Sequence, residues 1–133
     1  MNAYPITSLV LAAIVLMQFW FAFQVGRERT RSKIKAPAMV GDNRLECALR
    51  VQGNTVEQFV MFLPALLIAM PLLGDIYSAV LALLWMVGRV LFAQGYMRDP
   101  SARGTGFIIT VGALAIAVIC GIVAAVRNLI LLG

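Results

Sequence analysis

Four stretches of this chain carry no charged side chain: Met1 to Gly26, Gln58 to Gly74, Ile76 to Gly88 and Gly104 to Val126. About 20 apolar residues wound as a helix cross the roughly 30 Å of hydrocarbon in a bilayer. Inside lipid every backbone N–H and C=O must be satisfied by the protein itself, which favours a helix for such a run. The first and last stretches are long enough unaided. The second qualifies by borrowing about a turn from the residues before it, and the third by continuing through Arg89 to about Gly95.

The sequence therefore predicts an all-α integral membrane four-helix bundle, a single domain over residues 1–133, with helices at about 4–25, 43–73, 76–95 and 105–126. With 62% hydrophobic and 13% charged residues, little is left for a soluble domain. The first helix is expected to stay as an anchor. It lacks a basic leader, its apolar run is too long for a signal peptide, and a charged cluster follows it.

Charge placement sets the orientation. Arg27, Arg29, Arg31, Lys33 and Lys35 fill the first loop, Arg98 and Arg103 the third, while the second offers only Asp75. The positive-inside rule makes loops one and three cytoplasmic and puts both termini on the far side, with Arg127 the dissenting charge. The net charge of +5 needs no nucleic acid to explain it, since topology and attraction to anionic lipid or an anionic ligand account for it. The chain has no histidine, which removes Ser-His-Asp and Cys-His chemistry and argues against a zinc or haem site. Cys47 and Cys120 are far apart, form no CxxC, and read as packing residues.

The stretch from Arg44 to Pro64 runs from polar to apolar helix without a turn signal. On a 3.6-residue period Glu46, Arg50, Asn54 and Glu57 form one stripe. Depth counting leaves Glu46 on a projecting part of the helix, within reach of Arg50 at i, i+4. It brings Asn54 and Glu57 to the membrane boundary. Arg89 lies at a similar depth on the third helix, so a Glu57–Arg89 pair is expected in preference to a snorkelling arginine. Arg89, Phe92, Ala93 and Tyr96 share a face. Asp42 or Asn43 is expected to cap the second helix, Pro64 to kink it and Pro71 to end it. Ala113, Ala117, Gly121 and Ala125 form a small-residue stripe for close helix packing.

The cytoplasmic ends of helices two and three, with loops one and three, collect Arg29, Arg50, Arg89, Arg98 and Arg103. Near them lie Gln52, Asn54, Glu57, Gln58, Gln94 and Tyr96. Such a set suits a small zwitterionic ligand with excess negative charge: arginine forks match carboxylates, and Glu57 can receive an ammonium. An arginine beside a bound thiol favours the thiolate.

RVQGNTVEQFVMFLP (Arg50 to Pro64) and GRVLFAQGYMRDPSARGTG (Gly88 to Gly106) resemble the two signature stretches of the MAPEG family, membrane-associated proteins in eicosanoid and glutathione metabolism. The resemblance implies a homotrimer of four-helix subunits, with glutathione as co-substrate bound between neighbouring subunits near the cytoplasmic face. It implies that Arg50, Gln52, Asn54, Glu57, Tyr96, Arg103 and, through loop one, Arg29 hold glutathione, with Arg103 activating its thiol. Gln58 and Phe92 stand where some transferase members carry tyrosine, and with Arg89 they are counted in the same site. The function this implies is a glutathione-dependent transferase or peroxidase acting on a lipophilic electrophile that arrives from the bilayer. Two alternatives stand beside it: a non-catalytic lipid-binding or lipid-presenting member of the family, and a small four-helix drug transporter. The transporter requires an acidic residue deep in the first helix, and the span expected for that helix has none.

Overall fold

The computed structural model describes residues 3–133 as α1 (Pro5–Ser32), α2 (Asn43–Arg98) and α3 (Gly104–Leu132), with a short 3-10 turn over Pro100–Arg103 between the last two. Pro5 opens α1, where its missing N–H costs nothing. Tyr4 offers this end no side-chain cap. The orphan donors are met from 68 and 69 residues away. The Asp75 carboxylate accepts from Thr7 N at 2.8 Å, Thr7 Oγ1 at 2.8 Å and Ile6 N at 3.0 Å. α1 then runs past its apolar stretch to Ser32, beyond the expected end near Val25, and closes on Lys33 in a left-handed conformation. The buried Glu28 ties this end to the start of α2, since Arg31 and Arg44 both pair with it.

Asp42 caps α2 by accepting from Leu45 N at 3.0 Å. The second and third helices expected from the sequence are one element here, interrupted at Gly74. Its φ of 73° and ψ of 177° lie in a region essentially restricted to glycine. Pro64 and Pro71 both sit within the helical run, so the interruption falls at Gly74 and not at Pro71. The chain doubles back there. A straight helix would hold Phe62 and Trp85 about 35 Å apart, yet their rings stack with centroids at 5.0 Å.

Asp99 ends α2 and turns the chain, accepting from Ser101 N and Oγ at 3.0 and 2.7 Å. Along α3 the buried residues are Gly106, Thr110, Ala113, Ala117, Gly121 and Ala124. The small-residue stripe therefore ends on Ala124, and Ala125 faces outward. Gly106 allows the closest approach: a Cβ there would lie 2.1 Å from Phe92 N and 2.7 Å from Gly88 O on the second arm of α2.

The core gathers Ile14 and Phe21 of α1, Phe62, Leu66, Leu81 and Trp85 of α2, and Ala113 and Ala117 of α3. Outer faces are apolar as well, with Phe19, Ile108 and Leu16 among the exposed side chains. A surface of this kind matches lipid and not water, and all three helices are long and apolar enough to cross a membrane.

Candidate functional site

The two arms of α2 and the start of α3 enclose a cleft of about 860 Å³. Arg50, Asn54 and Glu57 line it from the first arm, one above the other at helical spacing. Phe92 and Tyr96 line it from the second arm, their rings tilted with centroids 5.5 Å apart. Arg103 enters from the turn that Asp99 organises, and its guanidinium lies 5.6 Å from the centre of the Tyr96 ring. Six of the residues singled out in the sequence thus share one cavity.

Glu46 joins them. Its carboxylate accepts from Gly41 N at 3.0 Å, and so anchors the loop that brings Met39 and Val40 to the cleft. The expected Glu46–Arg50 pair is not formed among the described residues.

Arg89 lies behind the cleft and not in it. Fully buried, it donates from Nε and Nη2 to Thr55 Oγ1 at 3.2 and 3.0 Å, and from Nη2 to Asn54 Oδ1 at 3.1 Å. Its guanidinium carbon sits 4.1 Å from the centre of the Phe92 ring. The expected Glu57–Arg89 pair is therefore absent among the described residues. Glu57 stands two positions beyond Thr55, about 200° round the helix. Arg89 meets the Thr55 side while Glu57 stays exposed on the cleft side. Among the described residues no carboxylate pairs with the buried guanidinium, which lies over the ring of the cleft-lining Phe92.

Three more expected residues lie outside this cleft. Arg29 donates to Ala38 O at 2.7 Å and Ile34 O at 3.4 Å, which folds the first loop against the end of α1. Gln52 is half-buried and faces away from Asn54. Gln58 is buried within the bundle, where its Oε1 has no partner.

The MAPEG family model matches residues 7–123. This chain belongs to the MAPEG family. An uncharacterized protein of Synechocystis is 34% identical over 80% of the chain and 84% of its own length. Human microsomal glutathione S-transferase 2 is 33% identical over 86% of the chain and 80% of its own. Rat leukotriene C4 synthase is 30% identical over 78% of the chain and 75% of its own. Family membership together with the apolar helices makes this an integral membrane protein.

Sequence reasoning missed Thr55 in this MAPEG protein. It serves as the hub for Arg89, and its own hydroxyl donates to Val51 O at 2.7 Å. The available signal was a polar β-branched residue on the core-facing side of the stripe, one position from Asn54. Phe107 at the mouth was missed too, since nothing in its apolar surroundings sets it apart.

Proposed function

We propose that this MAPEG protein is a glutathione-dependent membrane enzyme that delivers the glutathione thiolate to a lipophilic electrophile. The observation that carries the reading is the convergence of Arg50, Asn54, Glu57, Tyr96 and Arg103 on one cleft. The donor set fits the ligand. Glutathione has two carboxylates, one ammonium, two amides and a thiol. Arg50 offers a fork to a carboxylate, Glu57 receives the ammonium, Asn54 serves an amide, and Arg103 faces the sulfur. Relatives named as a glutathione transferase and as leukotriene C4 synthase support the same class of co-substrate and a lipophilic acceptor.

Arg103 stabilises the thiolate through its positive charge, and the thiol proton leaves to solvent. The sulfur pair forms a C–S bond at the electrophilic carbon as the leaving group departs with its bonding pair. Toward a hydroperoxide the same thiolate takes the terminal oxygen, and the alkoxide departs with the O–O bonding pair and picks up a proton. A second glutathione then converts the sulfenic acid to disulfide and water. Arg29 and Gln52, which do not line the cleft of their own subunit, complete that of a neighbour in a homotrimer, with Arg29 supplying the cation for the second carboxylate. The site lies on the cytoplasmic side, reached by glutathione from water and by the acceptor from the bilayer.

Turnover of purified protein with glutathione and an aryl halide tests the reading. Arg103→Ala is expected to lower kcat about 100-fold or more while leaving glutathione affinity within a few-fold. Absence of turnover with both an aryl halide and a lipid hydroperoxide would leave the non-catalytic lipid-binding role instead.

A further inference from the structure

On the side of α2 away from the cleft, α1 and both arms of α2 frame a second groove of about 320 Å³. Its inner part is apolar, built from Met17, Phe21, Val51 and Val90. One end is basic and polar, with Arg27 and Arg44 beside Gln24 and Gln94. Its chemistry is that of an amphiphile with an anionic head. None of the chemistry proposed for the thiol uses it.

We propose that this groove binds an anionic phospholipid, its phosphate on Arg27 and Arg44 and an acyl chain along Met17 and Phe21. Three observations carry the assignment. First, Arg27 has no hydrogen-bond or ion-pair partner among the described residues. Arg44 is only partly engaged, its Nη2 standing 3.3 Å from Glu28 Oε1 while Glu28 is shared with Arg31. Arginine forks match phosphate oxygens, and cations at the membrane surface attract anionic lipid. Second, Gln24 Oε1 is buried with no partner. A buried acceptor left unsatisfied is costly, and a headgroup hydroxyl, as in phosphatidylglycerol, supplies the donor. Third, Trp20 lines the same groove and stacks on Phe23 with centroids 5.6 Å apart. Tryptophan at that level is a membrane-interface residue, which places the groove where head and chain meet.

The groove carries its own reporter. The chain has two tryptophans; Trp20 is 53% exposed and Trp85 is fully buried in the core. The protein is placed in phosphatidylcholine nanodiscs containing a minor fraction of phosphatidylglycerol brominated on its acyl chains, and fluorescence quenching is compared with that of Trp20→Phe to isolate Trp20. Quenching well above the bulk lipid fraction is expected, with a midpoint shifted roughly fivefold to more lipid in Arg27→Gln. Arg27 is the residue to change because Arg44 also holds the buried Glu28, and Arg27→Lys should largely restore the midpoint. Gln24→Leu should weaken retention of phosphatidylglycerol. Equal quenching by brominated phosphatidylcholine, or no change in Arg27→Gln, would overturn the assignment. Absence of quenching by either lipid would also overturn it, since the groove would then be covered by another copy of the chain.

Discussion

Arg89 donates to Asn54 Oδ1 at 3.1 Å across the two arms of α2, and the bond fixes which end of that amide the cleft receives. Arginine has only donors to offer, so the oxygen of Asn54 must face it. The amide NH2 is then the group left for a ligand. Arg89→Met keeps volume and removes both the charge and this constraint. It is expected to weaken glutathione binding about tenfold, the worth of one oriented hydrogen bond near a charge. Thermal stability should hold or rise, because an uncompensated buried cation is replaced by an apolar group. Arg89→Lys should not rescue binding, since one ammonium cannot reproduce the fork that spans Thr55 and Asn54. Calorimetric titration and a melting curve separate the two effects. Unchanged affinity in the methionine variant would refute the positioning role.

Asp75 and Thr7 form another long-range polar contact that organises the fold. A carboxylate can accept from Ile6 N and Thr7 N together because both its oxygens are acceptors. Asn at this position would turn an NH2 toward one of those donors. Asp75→Asn is expected to unlock the start of α1, read as faster amide exchange at Ile6 and Thr7 and a lower melting temperature. The cleft lies at the other end of the bundle, so glutathione affinity should change little.

The sequence was legible where the information is local. Charge-free runs mark the helices, and helical spacing puts Arg50, Asn54 and Glu57 on one stripe that the cleft collects. What it hid is azimuth. Depth counting brings Glu57 and Arg89 to the same height, but height says nothing about which way each side chain points. A difference of about 200° between Glu57 and Thr55 moves the partnership from one to the other. The stripe on α3 slipped for a similar reason. Twelve residues on from Ala113 is about 120° round the helix, and eleven is only about 20°, so Ala124 and not Ala125 stays buried. The capping of α1 by Asp75 depends on the turn at Gly74 and had no local signature at all.

Acid should fray the start of α2. The Asp42 carboxyl is held below its ordinary value of 3.8 by the Leu45 N–H and then by Arg31. A depressed folded value means the contribution is present above the ordinary value and is lost as pH falls below about 4 through the folded one. Exchange at the Leu45 amide should therefore accelerate below that pH. In Asp42→Asn the exchange rate, corrected for intrinsic chemistry, should be flat across the same window. A wild-type profile equally flat would remove the cap from the account.

Gly106 sets the distance between α3 and the second arm of α2, and through it the position of Arg103 and Phe107 at the mouth. A Cβ at that position meets backbone, at 2.1 Å from Phe92 N and 2.6 Å from Phe92 Cα, so no side-chain rotation relieves it. The helices must part. Overpacking of this kind costs about 1–3 kcal/mol, and contact with backbone puts Gly106→Ala toward the upper end. Its effect on function should exceed its effect on stability, because Phe92 both lines the cleft and covers Arg89. Gly112→Ala is the control: it sits on the same helix, with nothing within 4 Å of the added carbon, and should leave folding and turnover unchanged. Comparable melting temperatures and activities for the two variants would show that the close approach at Gly106 does not position the site.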